Sequence, residues 1–145
     1  TTPSDSFYRN LYHTYEPGSS RSAEANQPFT ESFRRGDYRE TIRRFEALKT
    51  AGIRERFLAA NAYLESGDTR NAIGLFASIL AENRQEGGQL YQDESEYYLA
   101  MAYLRNGEKA KALPLLEKIA ADNNHTYHAQ VNRWTLLRMK WLSRP

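Results

Sequence analysis

Phe57-Leu58-Ala59-Ala60-Asn61-Ala62-Tyr63-Leu64-Glu65-Ser66-Gly67-Asp68-Thr69-Arg70-Asn71-Ala72-Ile73-Gly74-Leu75-Phe76 reads as two helices joined at a glycine. The first half is rich in helix formers. Its small residues Ala59, Ala60 and Ala62 let another helix approach closely. Gly67 supplies the left-handed position that stops the first helix. Asp68 can cap the next helix and suits its positive end. The second helix then places Ala72, Phe76 and Ile79 on one stripe at intervals of four and three.

The arrangement recurs. Gly36, Gly67 and Gly107 are each followed by an acid, Asp37, Asp68 or Glu108. Five residues after each glycine stand Thr41, Ala72 and Ala112; nine after, Phe45, Phe76 and Leu116; twelve after, Leu48, Ile79 and Ile119. Upstream, Ala60 and Tyr63 match Ala100 and Tyr103, whereas the first copy has Phe29 and Ser32 there. A unit repeated in this way predicts stacked helix pairs. The glycine spacing is 31 residues and then 40, with the excess in Ala81–Gln89. Longer helices around a Gly87-Gly88 loop are expected there. Pro114 falls inside the last second helix and predicts a kink or a late start.

These residues resemble the tetratricopeptide repeat family. Ala60, Tyr63, Ala72 and Phe76 carry the resemblance in the middle copy, and Ala100, Tyr103 and Ala112 in the last. Leu116 replaces the family's aromatic, Thr41 replaces its first alanine, and the proline that closes its second helix is missing, with Gly52 stopping the first copy instead. The resemblance covers about Pro28 to Ala121. It implies an all-α fold: a right-handed α-solenoid of about three helix–turn–helix repeats with a C-terminal capping helix.

The rest of the chain is organised around that array. Residues 28–124 hold the three pairs. Residues 1–27 form an aromatic segment and linker, with Phe7, Tyr8, Leu11, Tyr12 and Tyr15 at helical spacing before Glu16-Pro17-Gly18-Ser19-Ser20. Residues 125–145 read as the cap, a helix over 125–143 with Val131, Trp134, Leu137 and Trp141 as its apolar stripe, Leu142 widening it and Arg138 interrupting it. An array must cover its last apolar face. The 145 residues suit one domain. The absence of cysteine excludes disulfides, thiolate metal sites and thiol nucleophiles. The chain begins at Thr1 without methionine, as an excised fragment or processed product would.

No arrangement of catalytic residues emerges, and no cofactor or metal is expected. His125 and His128 share a face, but Asp122 is the only carboxylate near them in sequence, and no zinc-type spacing surrounds them. Gly87-Gly88 lacks the lysine and hydroxyl of a phosphate loop. Arg34, Arg35, Arg39, Arg43 and Arg44 are interleaved with Asp37, Glu40 and Glu46, the pattern of a solvated mixed face, and the net charge is only +2. No nucleic-acid partner is expected. After Asp122 no acid follows, while Arg133, Arg138, Lys140 and Arg144 do; that tail suits an acidic partner, an anionic membrane surface or the polar side of the cap. Asn124-His125-Thr126 is a formal glycosylation sequon.

The resemblance also implies a binding surface. In the family, the first helices of the pairs line a concave face that binds peptides or protein segments. Carried onto this chain, that face comprises Phe33, Arg34, Arg54, Phe57, Asn61, Leu64, Tyr97, Met101, Leu104 and Arg105. Asn61 with Arg54 and Arg105 resembles part of the family's clamp for a terminal carboxylate. The same face can instead seat the chain's own Phe7–Tyr15 segment. A non-catalytic module that binds a protein or peptide in the micromolar range, ~−8 kcal/mol, is the expected function. The alternative is a structural or self-associating module, a homo-oligomer within a larger protein. The repeats together with the Tyr-Glu-Pro-bearing N-terminal stretch are similar to extracytoplasmic domains of bacterial proteins carried behind one membrane span.

Overall fold

The computed structural model describes residues 3–17 and 27–141. The described residues form eight α-helices and no strand: α1 Pro3–Leu11, α2 Gln27–Arg34, α3 Tyr38–Glu46, α4 Ile53–Glu65, α5 Thr69–Glu86, α6 Gln92–Arg105, α7 Lys109–Ala121 and α8 Arg133–Trp141. From α2 to α7 each helix packs on the next, and α4 also touches α2 and α6. Gly18-Ser19-Ser20 and Leu142 lie outside the described residues.

The three aligned glycines build one turn three times. Gly36, Gly67 and Gly107 have φ of +72°, +87° and +77°. Each donates to the carbonyl three residues back, Phe33, Leu64 or Leu104, at 2.9–3.1 Å. The acid that follows reaches five back, to Ser32, Tyr63 or Tyr103, at 2.8–2.9 Å. This pair of bonds satisfies the carbonyls at the helix end, and only glycine adopts the turn without a Cβ penalty.

The capping expectation holds for two copies of three. Asp37 and Asp68 accept from the amides of Glu40 and Asn71 at 3.2 Å. Glu108 makes no such bond; its longer side chain turns to Asn106 and Lys111. Downstream, Thr41, Ala72, Ala112, Phe76, Leu116, Ile79 and Ile119 are all buried. Each large apolar side chain so buried stabilises the fold by roughly 1.5–3 kcal/mol. In the first copy a hydroxyl pair replaces apolar contact. Ser32 Oγ lies 2.8 Å from Thr41 Oγ1 and donates to the Phe29 carbonyl at 2.6 Å.

The uneven spacing is taken up by the second helices. The two glycine intervals differ by nine residues, as do α3 with 9 and α5 with 18. Consequently α3 ends at Glu46 and not at Gly52; Gly52 stands at the N-cap of α4, and Leu48 falls outside α3. The Gly87-Gly88 loop is held by buried Asn83, whose Nδ2 donates to the Leu90 carbonyl and to Gln92 Oε1, each at 3.0 Å. Helix α7 starts at Lys109 without delay and runs through Pro114. Pro114 is exposed, so its ring meets solvent, and the helix gives up only the bond to Ala110.

The C-terminal expectation needs correction. Residues 122–132 are turns and bends, and α8 begins only at Arg133. Of the apolar residues in this region, Val131, Leu136 and Met139 are buried, while Trp134, Leu137 and Trp141 are 77%, 55% and 72% exposed. The intervals of three and four are present, but Leu136 and Met139 supply a second apolar face, and that face is the one packed inward.

Candidate functional site

Helix α1 does not join the succession of pairs but packs against α6. Phe7 and Leu11 are buried there. The residues that follow continue across α4. Tyr97 donates its hydroxyl to the Leu11 carbonyl, and Tyr98 donates to the His13 carbonyl at 2.6 Å. Tyr12 donates to the carboxylate of Glu65. Arg105 stands 5.6 Å over the ring of Tyr8, and Tyr15 meets Phe57 edge-on at 4.7 Å. The segment is thus held partly through its main chain, by donors projecting from α6.

Tyr98 is the hub of an aromatic cluster. Its ring meets those of Tyr12, Tyr15, Phe57, Phe76, Tyr97 and Tyr127. Burial pushes its hydroxyl far above the ordinary range. Burial, with the nearby Tyr91 and Glu94, also raises Tyr15 to about 12. These hydroxyls are donors over any ordinary pH. Tyr91 holds a left-handed φ of 54° and stacks on Phe57 at 4.6 Å.

The ten residues assigned to the face from sequence divide clearly. Phe57, Tyr97 and Arg105 touch the chain's own segment, and the charge of Arg54 acts on Tyr15. Leu64, Met101 and Leu104 are buried. Phe33 packs on Tyr38, and Arg34 pairs with Glu31. Asn61 is buried and donates to the Phe57 carbonyl at 3.0 Å, leaving Oδ1 without a partner. Arg105 binds the Leu64 carbonyl at the end of α4. Asn61 and Arg105 are thus both engaged with main-chain carbonyls of α4. The arginine stretch is a mixed face, with Glu40 pairing both Arg43 and Arg44.

A second polar cluster was hidden from sequence reasoning. Buried His125 places Nε2 at 3.2 Å from Glu96 and 3.5 Å from Asp93, and Lys118 also reaches Glu96. Both carboxylates come from α6, about thirty residues away, so nothing local announces them. These three residues could offer a metal one ligand atom each. The hydrogen bonds favour another reading. His125 Nδ1 accepts from the Tyr127 amide at 3.1 Å, which leaves the proton on Nε2, directed at the carboxylates. Asp93 also accepts from the amide and hydroxyl of Thr126 at 2.9 Å. Burial alone would raise the Asp93 carboxyl, but the bonds from Thr126, with His125 and Lys118 nearby, hold it below the usual range. The cluster pins the turn after α7 onto α6.

The architecture is that of a helix-pair protein with an intramolecular peptide lying on one face. The sequence model of the tetratricopeptide repeat family matches residues 94–123, which span most of α6 and all of α7. The resemblance seen in the repeats is thus supported in the third pair. Such repeats generally mediate protein–protein interaction and are typically non-catalytic. No curated protein and no solved structure gave a significant match to the chain. Among the described residues, no helix is long and apolar enough to cross a membrane.

Proposed function

We propose that this chain is a non-catalytic protein-interaction module, a right-handed superhelix of about three tetratricopeptide-like pairs that holds a polypeptide segment on the face shared by α4 and α6. The observation that carries the reading is the pair of bonds from Tyr97 and Tyr98 to the carbonyls of Leu11 and His13. Side chains that bind main-chain carbonyls grip a segment whatever its sequence, while the neighbouring ring pockets select aromatic residues. Residues 7–15 are the resting occupant. A partner offering a comparable aromatic segment competes with them, and the preformed helix pairs keep the ordering cost low on the receptor side.

The test uses the full chain carrying Phe7→Ser and Leu11→Ser, which loosens the occupant but leaves the pairs intact. A labelled peptide spanning residues 3–17 should bind this variant at micromolar affinity, ~−8 kcal/mol. It should bind the unaltered chain at least roughly tenfold more weakly, because the tethered copy competes at high effective concentration. No binding to a variant that keeps its helical circular dichroism rejects the reading. A stable dimer of the unaltered chain by light scattering would favour the alternative, self-association.

A further inference from the structure

Helix α8 is apolar on two opposite sides. Leu136 and Met139 are buried toward the body. At 100° per residue, Trp134 and Trp141 fall on the opposite side, two turns apart and nearly in line, with Leu137 beside them. The rings stand 77% and 72% exposed. The outer side continues into a hollow of about 1090 Å³ between α7 and α8, whose walls include Ala120, Ala121, Ala129 and Val131. Isolated exposed apolar residues require no account, but two indoles and a leucine on one helix face beside an apolar hollow form a contiguous patch.

Glu117 of α7 lines the hollow, but from the turn after α7 onward the charge has one sign. From residue 123 to the end there is no acid, while Arg133, Arg138, Lys140 and Arg144 are cationic. Arg138 sits between the two indoles, four residues after one and three before the other. Lys140 pairs with Glu117 on α7 at 2.8 Å; neither Arg133 nor Arg138 forms an ion pair among the described residues. Indoles favour the boundary between headgroups and acyl chains, and arginines at the same depth meet lipid phosphates. A protein partner would need both a cleft for two indoles and an acidic surround. An anionic bilayer supplies both at once.

We propose that the outer side of α8 seats the domain on an anionic lipid bilayer, with Trp134, Leu137 and Trp141 entering the headgroup boundary and Arg133 and Arg138 at the phosphates. This is independent of the peptide-holding face, which lies on α4 and α6.

Trp134 and Trp141 are the only tryptophans in the chain, so indole emission reports on this face alone. The full chain is mixed with phosphatidylcholine vesicles with or without phosphatidylserine. The expected result is a blue shift and co-sedimentation with the phosphatidylserine vesicles, weakened by high salt, and neither with phosphatidylcholine alone. Arg133→Gln with Arg138→Gln should lower partitioning roughly tenfold or more, since a cation near such a surface contributes about a fivefold factor. Trp134→Gln with Trp141→Gln should abolish sedimentation while circular dichroism stays unchanged. The proposal is overturned if phosphatidylserine vesicles neither shift the emission nor sediment the protein. It is equally overturned by a lipid-free shift that grows with protein concentration and mass, which would assign the patch to a second copy. A shift with polyglutamate and none with vesicles would assign it to an acidic protein.

Discussion

The hydroxyl of Tyr98 donates to the main-chain carbonyl of His13 at 2.6 Å, across 85 residues of sequence. This bond and its neighbour from Tyr97 tie the N-terminal segment to the third helix pair. Tyr98→Phe keeps the ring and removes the donor. It should cost about 1–2 kcal/mol by denaturant midpoint, since the His13 carbonyl loses its partner in a part-buried site. Limited trypsin digestion should also cut faster at exposed Arg9. An unchanged midpoint and an unchanged cleavage rate would show that the segment is held without this bond.

Glycine substitutions should divide by backbone geometry. Gly67→Ala places a Cβ on a residue at φ +87° and should destabilise by roughly 1 kcal/mol. Gly74→Ala lies inside α5 with open space around the new methyl and should stabilise by about 0.5–1 kcal/mol. Equal effects at the two sites, read by thermal unfolding, would contradict the turn described.

Glu108→Asp should restore at α7 the cap that Asp37 and Asp68 provide at α3 and α5. The expected gain is about 0.5–1 kcal/mol, because the exposed contacts to Lys111 and Asn106 that are lost contribute little. A lower thermal midpoint would mean that those contacts outweigh the cap.

Alkali should unfold the protein through its tyrosines. Burial, with the charges of Tyr91 and Glu94, raises Tyr15 to about 12; burial and the bond to Glu46 raise Tyr63 to about 12 from an ordinary 10.0. A group raised on folding contributes stability in full below its unfolded value and loses it as pH rises through the folded value. Stability should therefore be level with respect to these groups below pH 10 and fall between pH 10 and 12. Tyrosinate absorbance should rise in one cooperative step with loss of helical circular dichroism. Independent ionisation of all ten tyrosines near pH 10 would refute this.

Glu96→Ala should destabilise by about 1–3 kcal/mol, since the buried Nε2–H of His125 loses its nearest acceptor. Zinc should leave the midpoint of the unaltered chain where it is. A zinc-dependent rise that disappears in His125→Gln would convert the staple into a metal site.

The helix–turn–helix units were legible because their signals are local. A glycine with an acid after it, and small and large residues at fixed offsets, state their own geometry, and the three turns share one hydrogen-bond pattern. The first copy was fainter because Ser32 stands where the other copies have tyrosine and Thr41 where they have alanine, and the two hydroxyls bond each other. What escaped depends on distance along the chain. The partners of His125 stand on α6, and nothing beside it in sequence names them. The cap was misread because α8 has two apolar faces, and a periodicity of three and four cannot say which faces inward. The candidate face was drawn from first helices alone, so buried packing residues such as Leu64 and Met101 were grouped with Tyr97 and Arg105, which touch the segment.

An array in which each unit touches only the next melts from its ends, with neighbouring units lending stability a step at a time. Packing of α1 onto α6 closes such an array into a loop. Loosening of α6 also releases Leu11 from Tyr97 and His13 from Tyr98. Synthesis runs the other way: Phe7 and Leu11 leave the ribosome long before their berth exists, so this stretch stays unsheltered until α6 emerges. One long-range tie thus converts a string of local units into a body that melts together and completes its folding late.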